Sequence, residues 1–357
     1  MRTNSPGIVK FRENMILGLS TCWQSTMVPG PPVLATSHTM PAFFLIVACA
    51  LWGLSFPAVK TLQLEQAARL PEAGSVFTSL WIQVARFGLG ALFILPIALR
   101  GGAPSRLEIR QGTRLALFGG SGMALQADGL AYTDVSISAF LTHAYCLVLM
   151  IAACIRLRRA PGARTLLATG MVMAGGAILS GFSPAEPHIG RGELQTLAAA
   201  VFFAFQILTL ENPAYRGNRS THVTLVMCSV IALVFLPMSL LAAPSAATWL
   251  AAGASWTAMA MVLVLALFCS VGAFFLMNHW QPRVSAVEAG MIYTSEPVFA
   301  AFHVLFLPAW ISVFTGLDYP NESPGTDLLT GGALILAANI LMQMQRNPHP
   351  PTIAPAP

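Results

Sequence analysis

Charge is what this sequence has least of. Only 9% of its 357 residues are Asp, Glu, Lys or Arg, while 55% are hydrophobic. A soluble domain carries roughly 25% charged residues, because its surface has to be wetted. Here there is too little charge to cover a globule, and the excess apolar surface finds its natural solvent in lipid. Metal-binding and disulfide patterns are missing as well. The cysteines Cys22, Cys49, Cys146, Cys154, Cys228 and Cys269 form no CxxC, and all but Cys22 lie in apolar runs. They read as small core residues, not as a disulfide frame or zinc site. There is no HExxH, no Walker A loop and no dinucleotide motif. No cofactor is implied. The net charge of +5 does not point to nucleic acid either. The basic residues stand in short clusters between apolar runs, with no basic stripe and no aromatic interleaving.

What is abundant is long apolar runs. A hydrocarbon core about 30 Å thick takes roughly 20 residues of helix. Segments of that kind are 42–62, 77–99, 114–132, 136–155 and 165–183, followed by 192–211, 222–242, 256–280, 286–308 and 328–345. Residues 1–40, rich in Ser, Thr, Pro and Gly, are expected to form a disordered tail, as is the Pro-rich stretch 347–357. Lys and Arg sort the loops into two sides. Arg100, Arg106, Arg110, Arg114, Arg156, Arg158, Arg159, Arg164, Arg216, Arg219, Arg283 and Arg346 fall on the side of the amino terminus. The opposite side holds Arg69 and Arg191 against Glu65, Glu72, Asp134, Glu186, Asp318 and Glu322. The Arg-rich side is therefore expected to be cytoplasmic, with both termini on it, in the plasma (bacterial inner) membrane.

The predicted fold is an all-α membrane protein of ten transmembrane helices, built as two inverted five-helix repeats, 41–184 and 185–346. Each half closes on a Gly-rich helix, Thr169–Leu179 in one and Leu329–Asn339 in the other. Five is odd, so the second copy enters from the opposite side. Inverted repeats suit secondary transporters, whose halves rock about a midplane site. Gly170, Gly175, Gly331 and Gly332 allow close helix approach, and packing alone accounts for them.

Several stretches resemble EamA-type carriers of the drug/metabolite transporter superfamily. Leu51-Trp52-Gly53-Leu54-Ser55-Phe56-Pro57-Ala58-Val59-Lys60 is similar to the opening of that family. Ala85-Arg86-Phe87 resembles its second helix, and Gly192-Glu193-Leu194 through Phe205 the start of its second repeat. Ser295-Glu296-Pro297-Val298-Phe299-Ala300 resembles its ninth helix, and Gly331 to Leu336 its tenth. The resemblance covers roughly residues 42–345. It implies ten helices, cytoplasmic termini, and export or exchange of amino acids, other metabolites or drugs. The chain also departs from the family. Thr142-His143-Ala144-Tyr145-Cys146 stands where the fourth helix often carries proline, and Arg156-Leu157-Arg158-Arg159 replaces the usual acidic residue.

Charges inside a span cost at least ~2.5–3.5 kcal/mol each near the centre, so each needs a partner or a watery cavity. Five qualify: Lys60, Arg86, Asp128, Glu288 and Glu296. At about 1.5 Å of rise per residue, Arg86 and Glu296 both fall near the midplane. They read either as the lining of a central cavity for a zwitterionic or charged solute, or as an ion pair locking two helices. Glu296 is also the candidate for taking up and releasing a proton. Lys60 and Asp128 lie near the acidic side and form the expected second, structural pair. Trp52, His143 and Tyr145 complete the candidate solute-binding set. For Trp52 the alternative is a lipid-facing ring, and for His143 a neighbouring carbonyl that satisfies it. Pro297 and Pro57 each free a carbonyl one turn earlier, marking a hinge or a simple kink. Gln126 and Gln206 are further polar linings.

The reading that follows is a secondary transporter, an exporter or exchanger of a small solute working by alternating access. Its partners are that solute and the bilayer, and a homodimer is compatible with it. The rivals are a channel or structural membrane subunit, or an intramembrane enzyme using Gly119-Gly120-Ser121-Gly122 with His143, His279 or His303 as base. Four small residues in a row are more readily a packing notch, so no enzymatic activity is expected.

Overall fold

The computed structural model describes residues 39–133, 135–158, 160–179, 190–322 and 325–343. Residues 1–38 and 347–357 of the expected tails lie outside them, as do Asp134 and Glu186. Among the described residues the chain is entirely helical. The first half comprises α1 (Thr39–Gly53), α2 (Ser55–Arg69), α3 (Ser75–Leu99), α4 (Arg106–Gly129), α5 (Val135–Thr142), α6 (Tyr145–Leu157) and α7 (Ala163–Leu179). The second comprises α8 (Arg191–Glu211), α9 (Ser220–Ala242), the short α10 (Ala246–Ala251) and α11 (Trp256–Val264). A π-helical stretch, Leu265–Gly272, leads into α12 (Ala273–Trp280). After it come α13 (Ala286–Tyr293), α14 (Glu296–Val304), α15 (Leu307–Thr315) and α16 (Thr326–Gln343).

Among the described residues, six stretches are long and apolar enough to cross a membrane: 40–69, 75–99, 137–156, 191–211, 220–242 and 256–283. The bent pair Ala286–Val304 and Leu307–Thr315, angled by 49°, makes a seventh. The other three predicted segments are helical but fall short of that standard for identifiable reasons. The apolar parts of α7 and α16 are only 163–178 and 329–342. Helix α4 carries Arg106, Glu108, Arg110, Arg114, Gln126 and Asp128, which make it too polar for that standard.

Local chemistry explains the boundaries. Ser105 accepts from the Glu108 amide while Glu108 accepts from the Ser105 amide, a reciprocal cap that starts α4. Pro57 has no N–H to give the Gly53 carbonyl, and α1 gives way to α2 at Leu54. Pro297 does the same to the Tyr293 carbonyl, and α13 gives way to α14 at Thr294-Ser295.

Packing pairs the halves. Helix α3 lies along α9, α7 along α16, and α4 against α8 and α9. Helix α1 contacts α12 and α14, while α8 contacts α5 and α6. Close crossings use glycine: a Cβ on Gly175 would stand 2.7 Å from the Gly331 carbonyl oxygen, and one on Gly53 2.8 Å from the Ala300 amide. Neither has room for a side chain. Leu45, Phe87, Leu115, Leu149, Met227, Ile231 and Ile292 are fully buried between the halves, whereas Leu92, Leu233, Leu241 and Phe314 are exposed on the outside. An apolar exterior around a partly polar interior is what a lipid solvent requires.

Candidate functional site

One cavity lies inside the bundle, bounded by residues of both halves. Its non-atom space, including the part open to solvent, is about 790 Å³. The walls are mainly apolar and aromatic: Trp52 and Phe56 from the first half, Phe203, Phe274 and Tyr293 from the second. Trp52 stands edge-on to Tyr293, with ring centroids 5.3 Å apart, and is tilted against Phe274 at 5.3 Å. The polar lining consists of Ser55, Gln83, Arg86, Gln126, Thr142, Tyr145, Gln206 and Glu296. The structure thus brings Trp52, Arg86, Tyr145 and Glu296, all predicted as solute-binding residues, to one space.

Arg86 is buried on α3 and firmly placed. Its Nε donates to Ser270 Oγ at 2.9 Å, and its guanidinium lies 5.0 Å from the centroid of the Phe87 ring. Ser270 belongs to the π-helical stretch, whose widened turn is the kind of local distortion found at functional sites. No carboxylate forms an ion pair with Arg86 among the described residues, and none of the ion pairs present involves Glu296. Arg86 and Glu296 therefore face the same cavity without neutralising each other directly. The two remaining guanidinium nitrogens form an open fork suited to a carboxylate.

Helix breaks position the opposite wall. Tyr145 is the first residue of α6 and Glu296 the first of α14, so each interrupted helix turns its start toward the cavity. A helix start carries a partial positive charge from unpaired N–H groups, which favours an anion there. The break before α6 occurs without proline. The His143 amide donates to Phe140 instead of Ala139, and the His143 ring takes the freed position, its Nδ1 lying 2.5 Å from the Ala139 oxygen. Its Nε2 lies 3.1 Å from the oxygen of Tyr293, the carbonyl released by Pro297. His143 is thus occupied by two carbonyls and does not line the cavity. A neutral imidazole has one N–H for these two acceptors. On the α14 side, the Asn339 amide donates to Thr294 Oγ1 at 3.3 Å and Ser295 Oγ at 3.2 Å, bracing that break from α16.

The expected Lys60–Asp128 pair is not formed. Asp128 Oδ2 accepts from Arg191 at 2.5 Å and from Gln195 at 2.6 Å. The reason is proximity: Gly129 and Gly192 bring α4 and α8 so close that a Cβ on Gly192 would stand 2.8 Å from the Gly129 carbonyl oxygen. Arg191, counted as a loop residue from sequence, therefore reaches Asp128 first. It also stacks on Tyr132 at 4.3 Å. This ionic cluster closes α4 onto α8 beside the cavity-lining residues Ala127 and Leu130.

Neutral groups pack behind the cavity-lining Tyr293. Gln281, buried at 1% exposure, donates to the Ile207 carbonyl at 2.8 Å and accepts from the Tyr293 hydroxyl at 2.9 Å. Phe44 and Trp280 stack beyond it, 4.6 Å apart. Farther out, Arg219 ties the loop after α3 to the loop before α9, bonding Glu108 and the carbonyls of Gly101 and Ala103. That guanidinium holds the Glu108 carboxyl well below the usual carboxylate range.

The glycine run in α4 has packing contacts. A Cβ at Gly119 would run into the Gln206 carboxamide, and one at Gly122 would stand 2.8 Å from the Phe203 ring. These absent side chains make room for two cavity-lining residues. Sequence reasoning overlooked Gln83, Gln281 and Asn339. For Gln83 the signal was available, as a polar residue one turn before Arg86 in an apolar run.

A cavity with a buried cation and a carboxylate, held inside a bundle of apolar helices, is the arrangement of a membrane transporter. The resemblance to EamA-type carriers is borne out by the comparisons: residues 39–181 match the EamA-like transporter family. An "Uncharacterized transporter" of Archaeoglobus fulgidus is 23% identical over 302 residues, covering 84% of this chain and 85% of that protein. A solved structure described as "Crystal structure of protein" shares the fold, with a TM-score of 0.60 at 15% identity, over 87% of this chain and 97% of that one.

Proposed function

We propose that the chain is a secondary transporter of a small organic solute, an exporter or exchanger working by alternating access through ten helices in two inverted five-helix repeats, 41–184 and 185–346. Support for the repeat comes from the packing pairs. Numbering the ten predicted segments in order, exchanging each with the one five places away reproduces the contact pattern: second with seventh, fifth with tenth, and first-with-ninth traded for sixth-with-fourth. Two similar halves around a central cavity can tilt against each other to expose it alternately. Both termini lie on the cytoplasmic, Arg-rich side of the plasma membrane in this reading.

One observation carries the assignment: Arg86 and Glu296, contributed by opposite halves, face a single cavity without pairing with each other. A structural lock would bring them together, whereas a binding site holds them apart for a solute to bridge. Arg86 holds the solute's anionic group. Trp52 and Tyr145 contact its body, and His143 keeps the Tyr145 helix start in place. Glu296 exchanges a proton during the cycle.

Reconstitution into vesicles tests this reading. Saturable uptake with counterflow is expected, abolished in its proton-linked component by Glu296→Gln while the protein remains inserted. Flux with an unchanged pH response in that variant rejects the coupling role, and an unsaturable ion current rejects the carrier.

A further inference from the structure

We infer that Gln83 is the specificity-determining residue of the cavity, its carboxamide oxygen accepting a hydrogen bond from an N–H or O–H group that the solute carries beside the anion held by Arg86. The inference rests on the transporter reading above and adds a requirement to it.

Gln83 and Arg86 are three residues apart on α3, so they share one face of the helix. Both line the cavity, and both are almost fully buried, at 1% and 4% exposure. Each is anchored through one atom only. The Gln83 amide nitrogen donates to the Met123 carbonyl at 3.4 Å. A carbonyl can only accept, so this contact fixes which end of the carboxamide is nitrogen. It leaves Oε1, which has no partner. Arg86 is anchored through Nε on Ser270, leaving its fork. One helical turn thus presents a cation and, next to it, an unpartnered pure acceptor.

Buried polar atoms are nearly always paired, so an orphan in a binding cavity marks a place the ligand completes. Two other orphans here, the Trp52 indole nitrogen, a donor only, and the Tyr145 hydroxyl, which can donate as well as accept, suit the solute's anionic oxygens. Gln83 Oε1 has the opposite demand, for a donor. A site built around such a demand discriminates strongly against an analogue lacking the group, since the protein atom is then left unpaired. With Gln83 reading the donor, Glu296, contributed by the second half, is left to exchange protons.

Three carboxylates sharing one apolar body provide the test: L-leucine, 2-hydroxy-4-methylpentanoate and 4-methylpentanoate, which carry an ammonium, a hydroxyl and a hydrogen at the same carbon. Binding to the purified full chain in lipid nanodiscs is measured by competition and by thermal shift. The first two are expected to bind at least about tenfold more tightly than the third. Gln83→Met, which keeps length but removes the acceptor, is expected to level the three. Equal binding of all three by the unmodified protein overturns the inference while leaving the transporter reading standing. This comparison decides the matter even if the variant fails to fold. Discrimination that survives in Gln83→Met also overturns it. Binding of none of the three overturns the role of Arg86 and this inference together.

Discussion

Residues 135–157 and 286–304 are both interrupted helices, yet different side chains interrupt them. In the second, Pro297 withholds an N–H and strands the Tyr293 carbonyl. In the first there is no proline. His143 instead diverts its own amide to Phe140 and covers the Ala139 carbonyl with its ring. The same ring reaches the carbonyl that Pro297 strands. One break therefore supplies the repair of the other, and the two helix starts, Tyr145 and Glu296, are held in a common frame. The lesson is that backbone freed inside a lipid-embedded bundle must find its partners in protein, and here a single histidine ring stands between the carbonyls of both interruptions, with one N–H for the two.

Removing that histidine tests the comparison most severely. His143→Ala removes the one ring N–H that the Ala139 and Tyr293 carbonyls share, at about 1–3 kcal/mol for the carbonyl left bare. A fall in the thermal midpoint of the detergent-solubilised protein is expected, with His143→Asn intermediate because its amide reaches one carbonyl only. An unchanged midpoint would show that the two breaks are independent. Pro297→Ala acts in the opposite sense. It restores an N–H able to take the Tyr293 carbonyl, so the midpoint is expected to hold while vesicle transport falls by about tenfold, some 1.4 kcal/mol at the barrier. The smallest effect is expected for Cys146→Pro. Cys146 is the second residue of α6, as Pro297 is of α14. Proline is accommodated in a first helical turn. The Cys146 amide donates to the His143 carbonyl, so the expected change is about 1 kcal/mol for that bond, against about 3 kcal/mol or more for a mid-helix control, Leu149→Pro. Equal damage from the two would mean that α6 does not begin afresh after the break.

Much of this architecture was legible in the sequence, for a physical reason. Apolar runs report burial in lipid directly, and charges such as Arg86 and Glu296 stand out because their cost demands an explanation. Proline-freed carbonyls were equally visible. What was not legible depends on distances between helices. Nothing in the chain order shows that Gly129 and Gly192 bring Arg191 within reach of Asp128, so Lys60 was taken as the partner. Neutral residues such as Gln281 and Asn339 carry no comparable cost. Their roles emerge only once Tyr293 and Ser295 are seen beside them.

The swollen turn at Leu265–Gly272 has a consequence for tolerance to length change. A π-helical stretch holds one residue more per turn than its α-helical flanks. Deleting Val271 or Gly272 from it would return the turn to the standard pitch and swing Ser270 by up to about 100° around the helix axis, away from Arg86. The shortened segment would still be long enough to cross lipid. It would have given up its hold on the guanidinium, so at this place a missing residue harms recognition before it harms insertion.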